Sequence, residues 1–336
     1  MKEVYPGIFL VKEVGRFKTI KPLVNIYLIP GRDGIIFDAG YGDKRTIKNV
    51  QNEIIALKKK YYNSNKDFNI SRILISHCHP DHFSGLKRLR KYLNLKIILT
   101  KDQSKLINNK KEYHKAFDGD SYEDYLIVKS GIRGKIRSIF ERLLSHFIYR
   151  LVYRMTFISQ FDEIIENETQ IHVNGEKWDI IPSPGHSSDH ISLYNEKRGV
   201  LISGDNVLPS ITTWLGPPDS DIETYINTIQ RIQNLPHLNI ILPAHGEVIS
   251  NPQQRIKEIL DHRKERTAQT LQIINENKEL GTCPGDVIKA LYPDATRVIR
   301  EFARGWVCLT LKYLEKQNQI VRKEDKKHIY FYPILE

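Results

Sequence analysis

The densest chemistry in the chain lies in six residues, His77-Cys78-His79-Pro80-Asp81-His82, which directly follow the apolar run Arg72-Ile-Leu-Ile-Ser76. His77, His79, Asp81 and His82 all carry side chains that ligate divalent metals. In an extended loop, residues two apart project to the same side, so His77 and His79 can reach one ion. Asp81 and His82 open the next helical turn and can face a neighbouring ion. Cys78 falls between two ligand positions and points the other way, as a small buried residue would. Three further candidates stand at the ends of apolar runs: His186 in Pro182-Ser-Pro-Gly-His186, Asp205 in Ser203-Gly-Asp205, and His245 in Pro243-Ala-His245-Gly. Each is weak alone, because Asp after Gly commonly makes a turn and a lone His can cap a strand. Together with the first string they supply seven ligands, enough for two ions.

The donor types set the chemistry. Two close divalent cations can share a water and lower its pKa toward about 7, giving a bridging hydroxide at neutral pH. One ion also polarises the substrate oxygen. Imidazole and carboxylate suit zinc, and iron and manganese accept the same donors. Asp81 reads as a ligand rather than a general base, with a second task of orienting the attacking hydroxide.

These side chains need a sheet to hold them. Val24 to Ile29 alternates as a strand does, and Gly34-Ile-Ile-Phe-Asp38 is an apolar run stopped by Asp38 and Gly40. Lys96 to Thr100 resumes the pattern, while Leu86, Leu89 and Leu93 fall on one helical face. Strands return at Ile171 to Val173, Trp178 to Ile181, Ile191 to Tyr194, Gly199 to Ser203 and Asn239 to Leu242. A helix over Glu223 to Leu235 turns Tyr225, Ile229 and Ile232 to one side.

Two stretches break this rhythm. Residues 103–162 look inserted, and Gly131 to Gln160 is helical in period. That segment holds six basic residues against Glu141 alone, beside an apolar stripe of Ile136, Phe140, Leu143, Phe147 and Leu151. From Pro252 onward a long polar helix, a short helix capped by Thr282, a helix from Ala295 to Lys316 and a terminal hairpin make a winged-helix-like module.

The motif set resembles that of the metallo-β-lactamase superfamily, over roughly Met1 to Pro252. The resemblance implies an α/β chain folded as an αββα sandwich, with residues 1–251 catalytic and 252–336 the winged-helix-like module. It implies that His77, His79 and His186 bind the first ion, that Asp81, His82 and His245 bind the second, and that Asp205 bridges them. Asp38 matches a position that supports the site from behind, although a strand-end turn residue would look the same. His190 reads as structural. The C-terminal module resembles that of the lactamase-beta-2-like branch, which points either to ester or thioester hydrolysis or to RNA cleavage.

Composition bounds the rest. At 336 residues, with 40% hydrophobic and 27% charged, the chain can bury its own core without disulfides. Cys78, Cys283 and Cys308 are far apart and odd in number, as in a reduced, cytoplasmic protein. No run approaches the roughly 20 apolar residues of a membrane span. The net charge of +11 favours anionic partners. A small-molecule or carrier-bound acyl substrate fits the aromatic insertion, which would act as a lid, while ordinary packing of its amphipathic stripe on the core accounts for the same pattern. RNA fits the basic excess, including Arg297, Arg300, Arg304, Lys312 and Lys316, though no RNA-binding signature is present. A basic amphipathic helix would also serve peripheral membrane contact. A non-catalytic ligand-binding regulator is the remaining class, and an intact ligand set argues against it.

Overall fold

The computed structural model describes residues 1–13, 21–117, 147–166, 169–210, 213–216, 218–325 and 328–334. A seven-stranded sheet follows chain order: β1 (Lys2–Tyr5), β2 (Ile8–Lys12), β3 (Asn25–Ile29), β4 (Gly34–Phe37), β5 (Ile70–Leu74), β6 (Lys96–Thr100) and β7 (Glu163–Ile165). Strands β1 to β4 pair antiparallel and β4 to β7 parallel. A five-stranded sheet holds β8 (Gln170–Val173), β9 (Glu176–Pro182), β10 (Ile191–Asn195), β11 (Val200–Gly204) and β12 (Ile240–Pro243), in the order β12-β11-β10-β9-β8. Only its β11–β12 pair is parallel among the described residues.

Alternation along the strands sorts the side chains into layers. Tyr27, Ile29, Ile35 and Phe37 point between the sheets, where they meet Trp178, Leu193, Ile202 and Leu242. Their neighbours Ile26, Leu28 and Ile36 point outward to helices. The outward face of the first sheet is covered by α1 (Lys44–Asn63) and, beyond the short helix α2 (Pro80–Phe83), by α3 (Leu86–Leu93). In α1 the buried residues Ile47, Val50, Ile54 and Leu57 recur at three- and four-residue steps, and Asp43 caps its first turn. Helices α4 (Lys101–Leu106) and α5 (Lys110–Phe117) follow β6. The second sheet is covered by α6 (Ile222–Gln233) and α7 (Pro252–Glu276). This is the expected αββα layering.

Most of the basic stripe over 131–160 lies outside the described residues. Where the chain resumes, Ile148–Val152 forms a π-helical turn with Phe147 and Leu151 exposed. The helix does not continue to Gln160 as the periodicity predicts. Arg154 takes a left-handed φ of 51°, and the chain then leaves the helix, with Met155, Phe157 and Ile158 packed onto the first core. Ile158 N–H donates to Ile107 O at 2.9 Å. Apolar packing overrides helical period here.

After α7 come α8 (Pro284–Leu291), α9 (Arg297–Lys316) and the hairpin of β13 (Ile320–Glu324) with β14 (Ile329–Pro333). Val287, Trp306, Val307, Leu311 and Phe331 share one core. Thr282 does not cap α8; Cys283 holds that position without a side-chain bond. The Thr282 backbone pairs with Phe331 instead, tying the helix entrance to the hairpin. The C-terminal segment does not stand apart, since Ile256, Ile259 and Leu309 join Tyr225 and Ile241 in the second sheet's outer core. Lys316 also pairs with Glu223 on α6.

Candidate metal centre

Every candidate ligand sits just beyond the C-terminal end of a strand. β5 runs out at Leu74 into buried His77, and His79 caps α2, whose first turn carries Asp81 and His82. β9, β11 and β12 deliver His186, Asp205 and His245 respectively. The turn that presents Asp205 requires Gly204. Its φ is +55°, and a Cβ there would sit 2.4 Å from His190 Nε2.

The structure brings all seven predicted ligands together. Donor atoms of His77, His79 and His186 lie within 4.8 Å of one another, as do those of Asp81, His82 and His245, and those of His77, His82 and Asp205. His186 Nε2 is 3.0 Å from His79 Nδ1. The two oxygens of Asp205 face different groups: Oδ2 is 3.4 Å from His186 Nε2, while Oδ1 is 3.3 Å from His245 Nε2 and 3.6 Å from His82 Nε2. Asp81 Oδ2 is 3.4 Å from His245 Nε2. One carboxylate thus lies between two sets of three donors.

Backbone and carboxylate acceptors choose the tautomers. His186 Nδ1 donates to Trp214 O at 2.8 Å and His245 Nδ1 to Leu23 O at 2.8 Å, which turns each Nε2 lone pair inward. His82 Nδ1 lies 3.0 Å from Asp38 Oδ2. Asp38 also accepts from Ser76 N at 2.7 Å and from Ser76 Oγ at 3.1 Å. Its backbone is left-handed, with φ 68°. So Asp38 is both a turn residue and a support for the cluster, and the two readings open from sequence hold together.

The buried atoms fit a cation. His77 Nε2, His82 Nε2 and Asp205 Oδ1 are buried without a hydrogen-bond partner, which is costly for polar atoms unless something else binds them. Burial holds His77 well below the usual imidazole range, in the neutral form that ligates. Burial likewise lowers His79 to about 4, with His186 beside it adding to the shift. Burial opposes charge on His82, yet Asp38, Asp81 and Asp205 hold it well above the ordinary value. The same balance, with Asp205 foremost among the carboxylates, raises His245. The carboxylate half of the cluster therefore demands positive charge.

His190 is structural, as its place in the motif predicts. Its Nδ1 lies 2.8 Å from Ser183 Oγ, and its Nε2 accepts from Asp205 N at 3.1 Å. Cys78 is buried with Sγ toward Gln103 O, and it belongs to none of the donor groups among the described residues. Sequence reasoning missed Asp219, whose Oδ1 accepts from Ser188 N and Oγ while Oδ2 stands 3.9 Å from His79 Nε2. No motif marks it.

A cavity of about 900 Å³ opens onto the cluster. Phe117, Tyr149 and Tyr153 line one side, and Tyr292, Ile299 and Trp306 from the C-terminal helices line another. Arg263 is the only Lys or Arg in its described lining.

Comparison with known proteins agrees with this geometry. The sequence model of the Metallo-beta-lactamase superfamily matches residues 21–245. The Beta-lactamase-like protein 2 homolog of Caenorhabditis elegans is 30% identical over 156 residues, which is 46% of this chain and 50% of that protein. The chain thus matches about half the length of that relative, which supports the lactamase-beta-2-like branch. An Atrochrysone carboxyl ACP thioesterase of Aspergillus fumigatus is 31% identical over 122 residues, 35% of this chain and 37% of that one. A crystal structure of a metallo-beta-lactamase family protein from Thermus thermophilus superposes with a TM-score of 0.72 at 18% identity, covering 99% of this chain and 100% of its own. The ligand string, the layered sheets and the matched span all lead to one assignment: the chain belongs to the metallo-beta-lactamase superfamily.

Proposed function

We propose that this protein is a metal-dependent hydrolase of acyl esters or thioesters. In this reading His77, His79 and His186 hold one divalent cation, Asp81, His82 and His245 hold a second, and Asp205 spans both. Three to four nitrogen and oxygen donors per ion suit zinc. When bound, such a pair supplies an activated water near neutral pH and polarises an ester or thioester carbonyl.

The chain's own residues do the positioning. Trp214 O and Leu23 O fix the rings of His186 and His245, and Asp38 fixes that of His82. Asp81 Oδ2 faces His245, and Oδ1 lies 3.7 Å from His82 Nε2, so its carboxylate sits at the rim of the cluster, able to orient the nucleophile. The aromatic side chains of Phe117, Tyr149, Tyr153 and Trp306 give the cavity an apolar wall beside the cluster.

The cavity wall is the single observation that carries the acyl reading. A nucleolytic site asks for several cations tracking a phosphate backbone; aromatic and aliphatic side chains dominate here instead. The relative from Aspergillus fumigatus, named as an ACP thioesterase, supports the same class. Tyr149 and Tyr153 supply part of the wall, which supports a lid role for the insertion, and Tyr292, Ile299 and Trp306 of the winged-helix-like module 252–336 supply more of it.

The test is a panel of ester, thioester and single-stranded RNA substrates with metal-loaded protein. Thioester hydrolysis that falls with chelation and returns with about two metal equivalents per chain is expected. Metal-dependent RNA cleavage without thioester turnover would overturn the reading, as would thioester turnover indifferent to exhaustive chelation.

A further inference from the structure

A buried arginine normally has a carboxylate to pair with, because an unpaired buried charge is expensive. Arg263 does not. It stands on α7, is 5% exposed, and forms no ion pair among the described residues. Its Nη2 makes one long hydrogen bond, 3.4 Å to Thr213 O, and its Nε is buried with no partner. This guanidinium lines the same cavity as His186, Asp205 and His245. Thr213, which accepts from Arg263, itself donates through Oγ1 to the backbone O of Asp205, so one residue links the cation to the backbone that carries the central aspartate of the cluster.

Resting on the acyl-hydrolase reading, we propose that Arg263 is the anchor for an anionic oxygen group on the substrate, held in the cavity while the acyl carbonyl lies at the metal cluster. The guanidinium presents a planar fork that matches a carboxylate or a phosphate, and a side chain only 5% exposed has little water to compete. The anion has two sources in such a substrate: a carboxylate at the far end of the acyl chain, or a phosphate on a pantetheine leaving group. Arg263 is a specificity residue in either case, and nothing in the arrangement asks it to touch the scissile bond.

Three thioesters separate the sources. The neutral hexanoyl thioester of N-acetylcysteamine is the reference. The half-thioester of the six-carbon dicarboxylic acid adds a carboxylate on the acyl side, and hexanoyl 4′-phosphopantetheine adds a phosphate on the leaving-group side. In metal-loaded Arg263→Gln, kcat/KM for one charged substrate relative to the neutral one should fall about 10- to 100-fold, the range of a hydrogen bond to an ion. The substrate that suffers names the source. An equal loss on all three thioesters would make Arg263 a mere support for the Thr213 segment and overturn the proposal, as would no change. Should Arg263→Gln fail to fold, Arg263→Lys gives the same ratio with a smaller fall. If the wild type hydrolyses none of the three, the acyl-hydrolase reading fails and the anion site is read by binding instead. Quenching of Trp214 and Trp306 by hexanoate should then need at least tenfold more ligand in the variant, and equal affinity would refute the anchor.

Discussion

Replacing Asp38 with Asn isolates one oxygen atom. Asn tolerates the left-handed backbone that Asp38 adopts at φ 68°, so the turn should survive. Its remaining carbonyl oxygen can still accept from Ser76 N, now 2.7 Å from Asp38 Oδ1. The change falls on Oδ2, which lies 3.0 Å from His82 Nδ1. A carboxylate only accepts, so it keeps a proton on Nδ1 and leaves Nε2, which faces Asp81 and Asp205, as the atom available to a cation. An amide NH₂ in the same place sets donor against donor. His82 must then abandon the contact or move its proton to Nε2, where a metal needs the lone pair. Loss of such an outer partner typically weakens metal binding 10- to 100-fold, equivalent to about 1.4–2.7 kcal/mol. The assay is chelator competition on the metal-loaded protein, resolving the two equivalents. One equivalent should weaken by that factor, while the one held by His77, His79 and His186 stays close to wild type. Asp38→Ala is the control for stability. It orphans the buried Ser76 N–H at roughly 1–3 kcal/mol. If Asp38→Asn leaves both affinities within twofold of wild type, or weakens both alike, the tautomer argument is wrong.

Other consequences can be checked independently. Asp205→Ala removes the group between the two donor sets, so both metal equivalents should weaken together and thioester kcat/KM should fall by about 10²–10³, the range for deleting one electrostatic stabiliser; loss of a single equivalent would contradict the spanning role. Ile299 is 49% exposed and lines the cavity, so Ile299→Glu should cost little stability but depress turnover of neutral long-chain substrates about tenfold, as expected for a carboxylate desolvated against an acyl chain. Chain-length profiles of the two proteins test this, and superimposable profiles would move the acyl chain elsewhere. Burial pushes the Cys308 thiol up to about 12 and raises Cys78 strongly, whereas Cys283 is partly exposed. An aromatic disulfide reagent should therefore label Cys283 first in the native protein, with the other two reacting only on unfolding; mass mapping of the first adduct decides it.

The candidate ligands were legible in the sequence because metal ligation needs particular side chains, and strand ends put them at readable intervals. His77 and His79 show their shared side by spacing alone. His186, Asp205 and His245 each follow an apolar run that is a strand in the structure. The partners that orient them were not legible. Trp214 and Leu23 act through backbone carbonyls, so their side-chain identities carry no signal for that task. Asp219 is one acid in a loop, and its position beside His79 depends on the tertiary approach of two distant segments. Arg263 sits in a helix whose sequence is polar almost throughout, where a basic residue reads as solvated; its burial comes from tertiary packing, with Thr213 O as its one hydrogen-bond acceptor among the described residues. Local capping misled at Thr282 because a long-range backbone pair with Phe331 competes for the same residue.

The overall charge of +11 is a poor guide to the site, and the reason is where the cations lie. Lys21 is buried between Glu13 and Asp43, Arg90 meets Asp162, and Lys316 meets Glu223, so each of these charges is paired away from the cavity. Exposed cations on helices raise the net charge without entering the cavity, whose described lining carries Arg263 alone. A single fixed cation opposite a metal-facing carboxylate cluster suits one anionic group at a set distance from the reacting carbonyl. It does not suit a polyanion, whose binding grows with the number of cations along a track. The candidate ligands come from strand ends of the two sheets, while Tyr149 and Tyr153, with Tyr292, Ile299 and Trp306 from the C-terminal helices, line the cavity beyond them. Neither of those two parts supplies a candidate ligand. Substitutions that redirect substrate choice should therefore fall in Tyr149, Tyr153, Arg263, Tyr292 and Trp306, and leave metal content as it was.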